Sequence, residues 1–174
     1  MIFFTGDTHF GDPRILRLDR RPFQDLAAHD AALIERWNHR VGEGDEVWHL
    51  GDFARGTAEV KQALFARLNG DKHLITGNND DEATLRLGWA SVQAYAELDV
   101  EGRRLVLCHY PFRTWNGMGK GALNIHGHSH GKLKPLPRQY DVGIDVFPQG
   151  PATLTEILAS RRRGAKPGAA LIEA

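Results

Sequence analysis

Met1-Ile2-Phe3-Phe4-Thr5-Gly6-Asp7-Thr8-His9 opens with an apolar run, turns at a glycine, and then presents a carboxylate and an imidazole. A run this short, apolar and closed by Gly and Asp predicts a buried strand over residues 2–5 rather than a helix. Working outward, the same pattern predicts strands over 46–50, 73–76, 104–108, 123–125 and 140–144. Helical periodicity fills the intervals. Leu26, Leu33, Ile34, Trp37 and Val41 recur at helical spacing over 26–41, with Asp25, Asp30 and Glu35 between them. Val60, Leu64 and Leu68 do so over 57–68, where Thr57 with Glu59 starts the helix and Asn69-Gly70 stops it. Strands alternating with helices indicate an α/β domain, with βαβ connections in the first half and more strands and turns in the second.

With 174 residues, 41% hydrophobic and 25% charged, the chain fits one domain with a core that needs no disulfides. We read that domain as residues 1–160, followed by a basic tail, 161–174, expected to fray. Arg161, Arg162 and Arg163 in it read as a solvated end. Lys and Arg number 22 and Asp and Glu number 22, so the formal charge is zero. That balance suits small phosphate-bearing molecules, nucleotides among them, better than long duplex nucleic acid, which calls for a broad positive field. One cysteine excludes an intrachain disulfide, and neither a signal peptide nor a membrane span is legible, so the expected location is the cytoplasm.

Nine histidines are the compositional oddity. Five segments stand where predicted strands run out: Gly6-Asp7-Thr8-His9, Gly51-Asp52, Gly77-Asn78-Asn79-Asp80, Cys108-His109-Tyr110-Pro111 and Gly127-His128-Ser129-His130. Ligands gather beyond the carboxyl ends of strands in α/β sheets, so all five are expected to converge on one pocket. Carboxylate, imidazole and amide oxygen without thiolate suit Mn, Fe, Co, Ni or Zn. Asp7 and His9 are two apart, as are His128 and His130. In extended backbone each pair points to one side and can hold an ion. The neighbouring glycines permit sharp turns and close backbone approach.

Taken in this order, the blocks resemble the calcineurin-like metallophosphoesterases, whose signature is Asp-x-His, Gly-Asp, Gly-Asn-His-Asp or Glu, a single His, and Gly-His-x-His. The resemblance runs from Gly6 to His130, and residues 140–148 look like the closing strand segment of compact, single-domain bacterial members. It implies a two-sheet β-sandwich flanked by helices, four layers in all, and a hydrolase for phosphomonoesters or phosphodiesters. It further implies two divalent metal ions, Mn foremost. Asp7, His9 and His130 would hold the first, Asp52 would bridge, and Asn78, His109 and His128 would complete the second. Asn78, Asn79 and His109 would meet the substrate, and Asn79 with Asp80 would occupy the catalytic block. The implied mechanism has metal-bound hydroxide attacking in line between two clamping ions.

At position 79 the family pattern has the histidine that protonates the leaving oxygen, with the following acid orienting it. Asn79 donates a hydrogen bond but transfers no proton near neutral pH. The expectation is an enzyme best on leaving groups that depart unprotonated, such as aryl phosphates or activated diesters, with His73 or His49 as substitute acids by sequence proximity. The alternative is a metal-binding scaffold that has lost catalysis and acts through protein partners. Of the remaining residues, His29 and His39 read as helix surface, Cys108 as buried and inert, and His126 as a packed strand residue or a support for a ligand. Arg55 reads as surface or phosphate contact. Residues 111–121, with Arg113, Trp115, Asn116 and three glycines, read as a mobile loop shaping substrate access.

Overall fold

A computed structural model describes residues 1–162. The strands are β1 (Ile2–Thr5), β2 (Glu46–His49), β3 (Asp71–Ile75), β4 (Ser91–Gln93), β5 (Tyr95–Val100), β6 (Arg103–Cys108), β7 (Leu123–His126), β8 (Gln139–Asp141) and β9 (Ala152–Thr153). The helices are α1 (Ile15–Leu18), α2 (Leu26–Arg40), α3 (Ala58–Phe65), α4 (Glu82–Leu85) and α5 (Leu154–Arg162). One five-stranded sheet has the order β4-β3-β2-β1-β9 and a four-stranded sheet the order β5-β6-β7-β8. β1 to β4 are parallel and β9 closes the edge antiparallel. β5 and β6 form an antiparallel hairpin, while β6, β7 and β8 are parallel. The expected α/β sandwich of two sheets with helices is therefore the fold.

Side-chain alternation along the strands sorts the core into layers. Phe3 and Val47 face α2, where they pack with Leu33, Ile34 and Trp37. Their neighbours Phe4 and Trp48 face the other way and meet Leu105, Leu107, Leu123 and Ile125 of the second sheet. Val106, between Leu105 and Leu107, points to the outer face and packs with Trp115 and Ala122. That fourth layer is built from the 111–121 segment rather than from a long helix. Trp115 is buried and donates its indole N–H to the Ala122 carbonyl (2.9 Å), and Arg138 caps the Met118 carbonyl (2.8 Å). The segment expected to be a mobile loop is thus pinned by an aromatic plug.

Local chemistry explains the boundaries. Asp25 caps α2 by accepting from the Ala28 N–H (2.8 Å), and Thr57 caps α3. The β5–β6 hairpin turns on Glu101 (φ 51°) and Gly102 (φ 71°), two positive-φ residues matching the right-handed twist of its strands. α5 carries helical backbone through Arg162, two residues beyond the expected domain end; 163–174 lies outside the described residues.

Candidate active site

The five segments do converge. Asp7 and His9 follow β1, Asp52 follows β2, Asn78, Asn79 and Asp80 follow β3, His109 follows β6, and His128 and His130 follow β7. The loops after β1 and β2 are laced together by Asp7 N–H to the Gly51 carbonyl (2.9 Å), His9 N–H to Asp52 (3.0 Å) and Phe10 N–H to Phe53 (2.9 Å). Close approach demands glycine at the crossings. A Cβ on Gly77 would stand 2.3 Å from Asp52 Oδ1, and one on Gly143 would stand 2.6 Å from Asp7 Oδ2.

Backbone conformation differs from the extended geometry expected at the paired ligands. Asp7 (φ 53°), His9 (48°), Asp52 (59°), His128 (65°) and His130 (48°) are all left-handed. They are five of the eight such non-glycine residues described. Each costs on the order of 1–3 kcal/mol, a strain that clusters where function constrains the chain. Asp7 and His9 share a site because two sharp turns aim them there, not because strand alternation does.

Two sets of side chains meet closely: Asp7 with His9 and His130, and Asp7 with Asp52 and His109, each set offering atoms within 4.8 Å of one another. Asp7 is common to both, whereas the resemblance implies Asp52 as the bridge. Asp52 nonetheless lies between the sides, with Oδ2 3.5 Å from His9 Nε2 and Oδ1 3.6 Å from His109 Nε2. The His109 Nδ1–H is spent on the Leu50 carbonyl (2.7 Å), so Nε2 turns a lone pair toward Asn78 Oδ1 (3.1 Å) and Asp52. His9 Nε2 is buried without any hydrogen-bond partner. Acceptors facing acceptors, and a buried nitrogen without a donor, form a cradle that a cation satisfies. His128 is exposed. Its backbone N–H holds both Asp7 oxygens (3.0 and 2.9 Å), and its ring lies 5.0 Å from that of His109.

Electrostatics follow from burial. Burial pushes the Asp7 carboxyl well above its usual range, against the pull of His130. Burial also pushes His9 down to about 4 despite Asp52 nearby. For Asp52 burial acts upward, but the two Asn79 donors and His109 and His9 outweigh it and hold the group low. The Asn79 backbone N–H bonds Asp52 Oδ1 (2.9 Å) and its side-chain amide bonds Oδ2 (2.5 Å), while Arg55 donates to Asn79 Oδ1 (3.2 Å). Arg55, also paired with Asp12 (3.0 Å), lines a pocket with Gly56, Asn78, Asn79, Asp80 and Asp81. Asp80 accepts from the N–H groups of Asp52 (2.9 Å), Phe53 (2.8 Å) and Gly77 (2.8 Å), so it braces the turn between β2 and β3.

Neither substitute acid joins the cluster. His73 stacks on Trp48, bonds Ser91 Oγ (2.8 Å) and lies near Glu46. His49 is fully buried against Trp37 and Phe53 and bonds Thr8 Oγ1 (2.9 Å). Burial lowers His49 from 6.5 to about 3, so it stays neutral. The sign follows: between those values the unfolded chain binds the extra proton. Stability is therefore full above about 6.5 and falls with pH through the window, by about 1.4 kcal/mol per unit. His49→Phe, which leaves Thr8 its bond to the Phe53 carbonyl (2.8 Å), is expected to flatten the urea midpoint between pH 6 and 4. An unaltered acid limb would contradict it.

Other readings change too. His29 is not surface: it is fully buried, bonded to Arg21 (2.9 Å) and Asp30 (2.7 Å). His39 is exposed, as expected. Cys108 is half-buried with its thiol pushed up by burial, and His126 is buried with Nδ1 on the Gly127 carbonyl (2.7 Å). Three supporting residues escaped the sequence reading: Arg21, Asp141 and Asp145. Asp141 holds the Gly-His-Ser-His loop through Ser129 Oγ (2.6 Å) and Gly131 N–H (2.9 Å), and Asp145 bonds His130 Nδ1 (2.7 Å). Asp145 directly follows the predicted 140–144 strand, so the strand-end rule that found Asp52 reaches it as well, whereas Asp141 lies inside that stretch and ends the shorter observed β8. Arg21, in an Arg-Arg-Pro run, carries no such signal.

Comparison with known proteins bears on the family and the fold. Residues 1–139 match the model of the calcineurin-like phosphoesterase superfamily domain. The gene 66 protein of Mycobacterium phage D29 is 32% identical over 84% of this chain and 88% of its own length. An uncharacterized protein of Methanocaldococcus jannaschii is 27% identical over 94% and 92% respectively. Among solved structures, a protein of unknown function from Aquifex aeolicus shares the fold at a TM-score of 0.75 and 22% identity, covering 91% of this chain and 98% of that one.

Proposed function

The chain belongs to the calcineurin-like phosphoesterase superfamily, whose chemistry is phosphoester hydrolysis, and from that premise we propose a two-metal hydrolase lacking the usual general acid. The observation that carries the reading is the pair of ligand triads meeting at Asp7. Asp7, His9 and His130 would hold one divalent ion, and Asn78, His109 and His128 the other, with Asp52 between them. The donor-free His9 Nε2, the lone pair of His109 directed at two oxygens, and a buried Asp7 carboxylate in need of positive charge all fit such ions. The donor set is compatible with Mn, Fe, Co, Ni and Zn, and the family resemblance puts Mn foremost. When bound, paired ions supply Lewis-acid stabilisation of the phosphoryl oxygens and lower the pKa of water.

The protein groups do the rest. Asn78, Asn79 and His109 orient the ester, and Arg55, at the rim of the adjacent pocket, offers a fixed positive fork for phosphate oxygens. Asn79 donates to the leaving oxygen without transferring a proton, so substrates with good leaving groups are favoured: aryl esters, activated diesters and small nucleotides. A balanced net charge disfavours long duplexes. A single cysteine fits work in the cytoplasm. Among the described residues no helix is long and apolar enough to cross a membrane.

The second reading, a catalytically silent metal scaffold, draws on Asn79 alone. One assay separates the two. Chelator treatment is expected to abolish hydrolysis of a chromogenic aryl phosphodiester or monoester, and added Mn to restore it. Absence of metal-dependent turnover on both esters favours the scaffold.

A further inference from the structure

Outside the triads, the buried charge of Arg21 has no part in the chemistry described so far. The Arg21 side chain is 3% exposed. Its five N–H groups meet five acceptor contacts. Nε and Nη2 bond the two Asp145 oxygens (3.0 and 2.9 Å), and Nη2 also bonds the Asp7 carbonyl (2.6 Å). Nη1 bonds the Thr8 carbonyl (2.9 Å) and His29 Nε2 (2.9 Å). His29 passes the chain on to Asp30 through Nδ1 (2.7 Å), and Asp30 takes the Gly11 N–H (3.0 Å).

Burying a guanidinium costs several kcal/mol, and one carboxylate partner seldom makes the exchange a net gain in stability. What distinguishes this one is where its bonds end. Two fall on the carbonyls of Asp7 and Thr8, in the left-handed turn between two of the proposed ligands. Two fall on Asp145, the carboxylate that also holds His130 Nδ1 (2.7 Å). With Nδ1–H donated to Asp145, His130 is fixed in the tautomer that leaves Nε2 free, and its ring stacks 5.3 Å from that of His9.

We infer that Arg21 is a positioning residue that sets the metal centre. One planar fork holds the Asp7 turn and, through Asp145, the orientation and tautomer of His130, so two ligands of one ion are placed by a group that touches neither substrate nor metal. This rests on the reading that Asp7, His9 and His130 hold an ion. Lysine does not replace it: an ammonium neutralises Asp145 but lacks the rigid fork that spans a carboxylate and two carbonyls.

The test uses Arg21→Met, Arg21→Lys and the exposed control Arg17→Met, each as the full chain. Calorimetric titration of the metal-free proteins with Mn is expected to show one of two binding steps weakened about 10–100-fold in Arg21→Met. Arg21→Lys should recover only part of that loss, and Arg17→Met should match the parent. Nitrogen-detected NMR of the metal-free chain, at a pH high enough to keep the ring neutral, is expected to show His130 with Nδ1–H in the parent and a tautomer mixture in Arg21→Met. Parent-like Mn affinities and an unmoved His130 tautomer, with only the melting temperature lowered, would overturn the inference. If Arg21→Met does not fold, Arg21→Lys with Asp145→Asn carries the same comparison. If the parent binds no Mn, the metal reading itself fails, while the NMR comparison still decides whether Arg21 governs His130.

Discussion

Asp52→Asn is expected to fold like the parent chain and to lose about 10³-fold or more in metal-dependent turnover, several kcal/mol at about 1.4 kcal/mol per decade. The fold is expected to survive because position 52 is left-handed, at φ 59°, and asparagine is among the few residues that tolerate that region. The braces of the turn also remain, since the Asp52 backbone N–H is held by Asp80 (2.9 Å). What goes is the negative charge between His9 and His109, 3.5 and 3.6 Å away, which in the proposed two-metal centre would help keep two like-charged ions close. In addition, an amide NH2 must face one of the two Asn79 donors that now meet a carboxylate. Circular dichroism and steady-state kinetics at saturating Mn check both halves. Parent-like turnover would remove Asp52 from the centre.

Asn79→His is expected to raise turnover on alkyl esters by up to about 10², the lower end of what a positioned general acid contributes. On aryl esters, whose leaving groups depart as stable anions, little change is expected. The ceiling is low for a structural reason. Asp80, which the resemblance makes the orienting partner of residue 79, has its carboxylate engaged by three backbone N–H groups. A histidine there would also give up the Asn79 amide bond to Asp52 and the contact from Arg55. Parallel kinetics on a nitrophenyl and an alkyl phosphodiester read the difference directly. Equal gains on both would show that residue 79 acts on something other than the leaving group.

Much of this molecule is legible in short stretches. Apolar runs ending at Gly, Asp or His placed β1, β2, β3, β6 and β7 within two residues at each end, and those strand ends carry the candidate ligands. β5 was not seen because its alternation, Tyr95-Ala96-Glu97-Leu98, mixes charge into a strand paired by a hairpin rather than buried on both faces. The two-residue β9 and the ensuing α5 depend on contacts with β1 that no local pattern announces. Residue chemistry picks out the candidate site residues that the fold brings together, yet the extended geometry expected for Asp7 and His9 is not what the chain adopts. Residue spacing describes strands, and these two residues sit in left-handed turns held by distant partners. His29 was misplaced for a related reason: polarity on a helix suggests solvent, but a buried guanidinium draws an imidazole inward. Trp115 shows the converse, a glycine-rich stretch stiffened by one ring.

The most direct test of the whole account is stoichiometry. The full chain, stripped with chelator, dialysed against excess Mn and freed of unbound ion, should carry two Mn per polypeptide by elemental analysis, falling when Asp7, common to both triads, is replaced by Asn. A parent chain that retains no Mn, or whose content ignores Asp7→Asn, would contradict it.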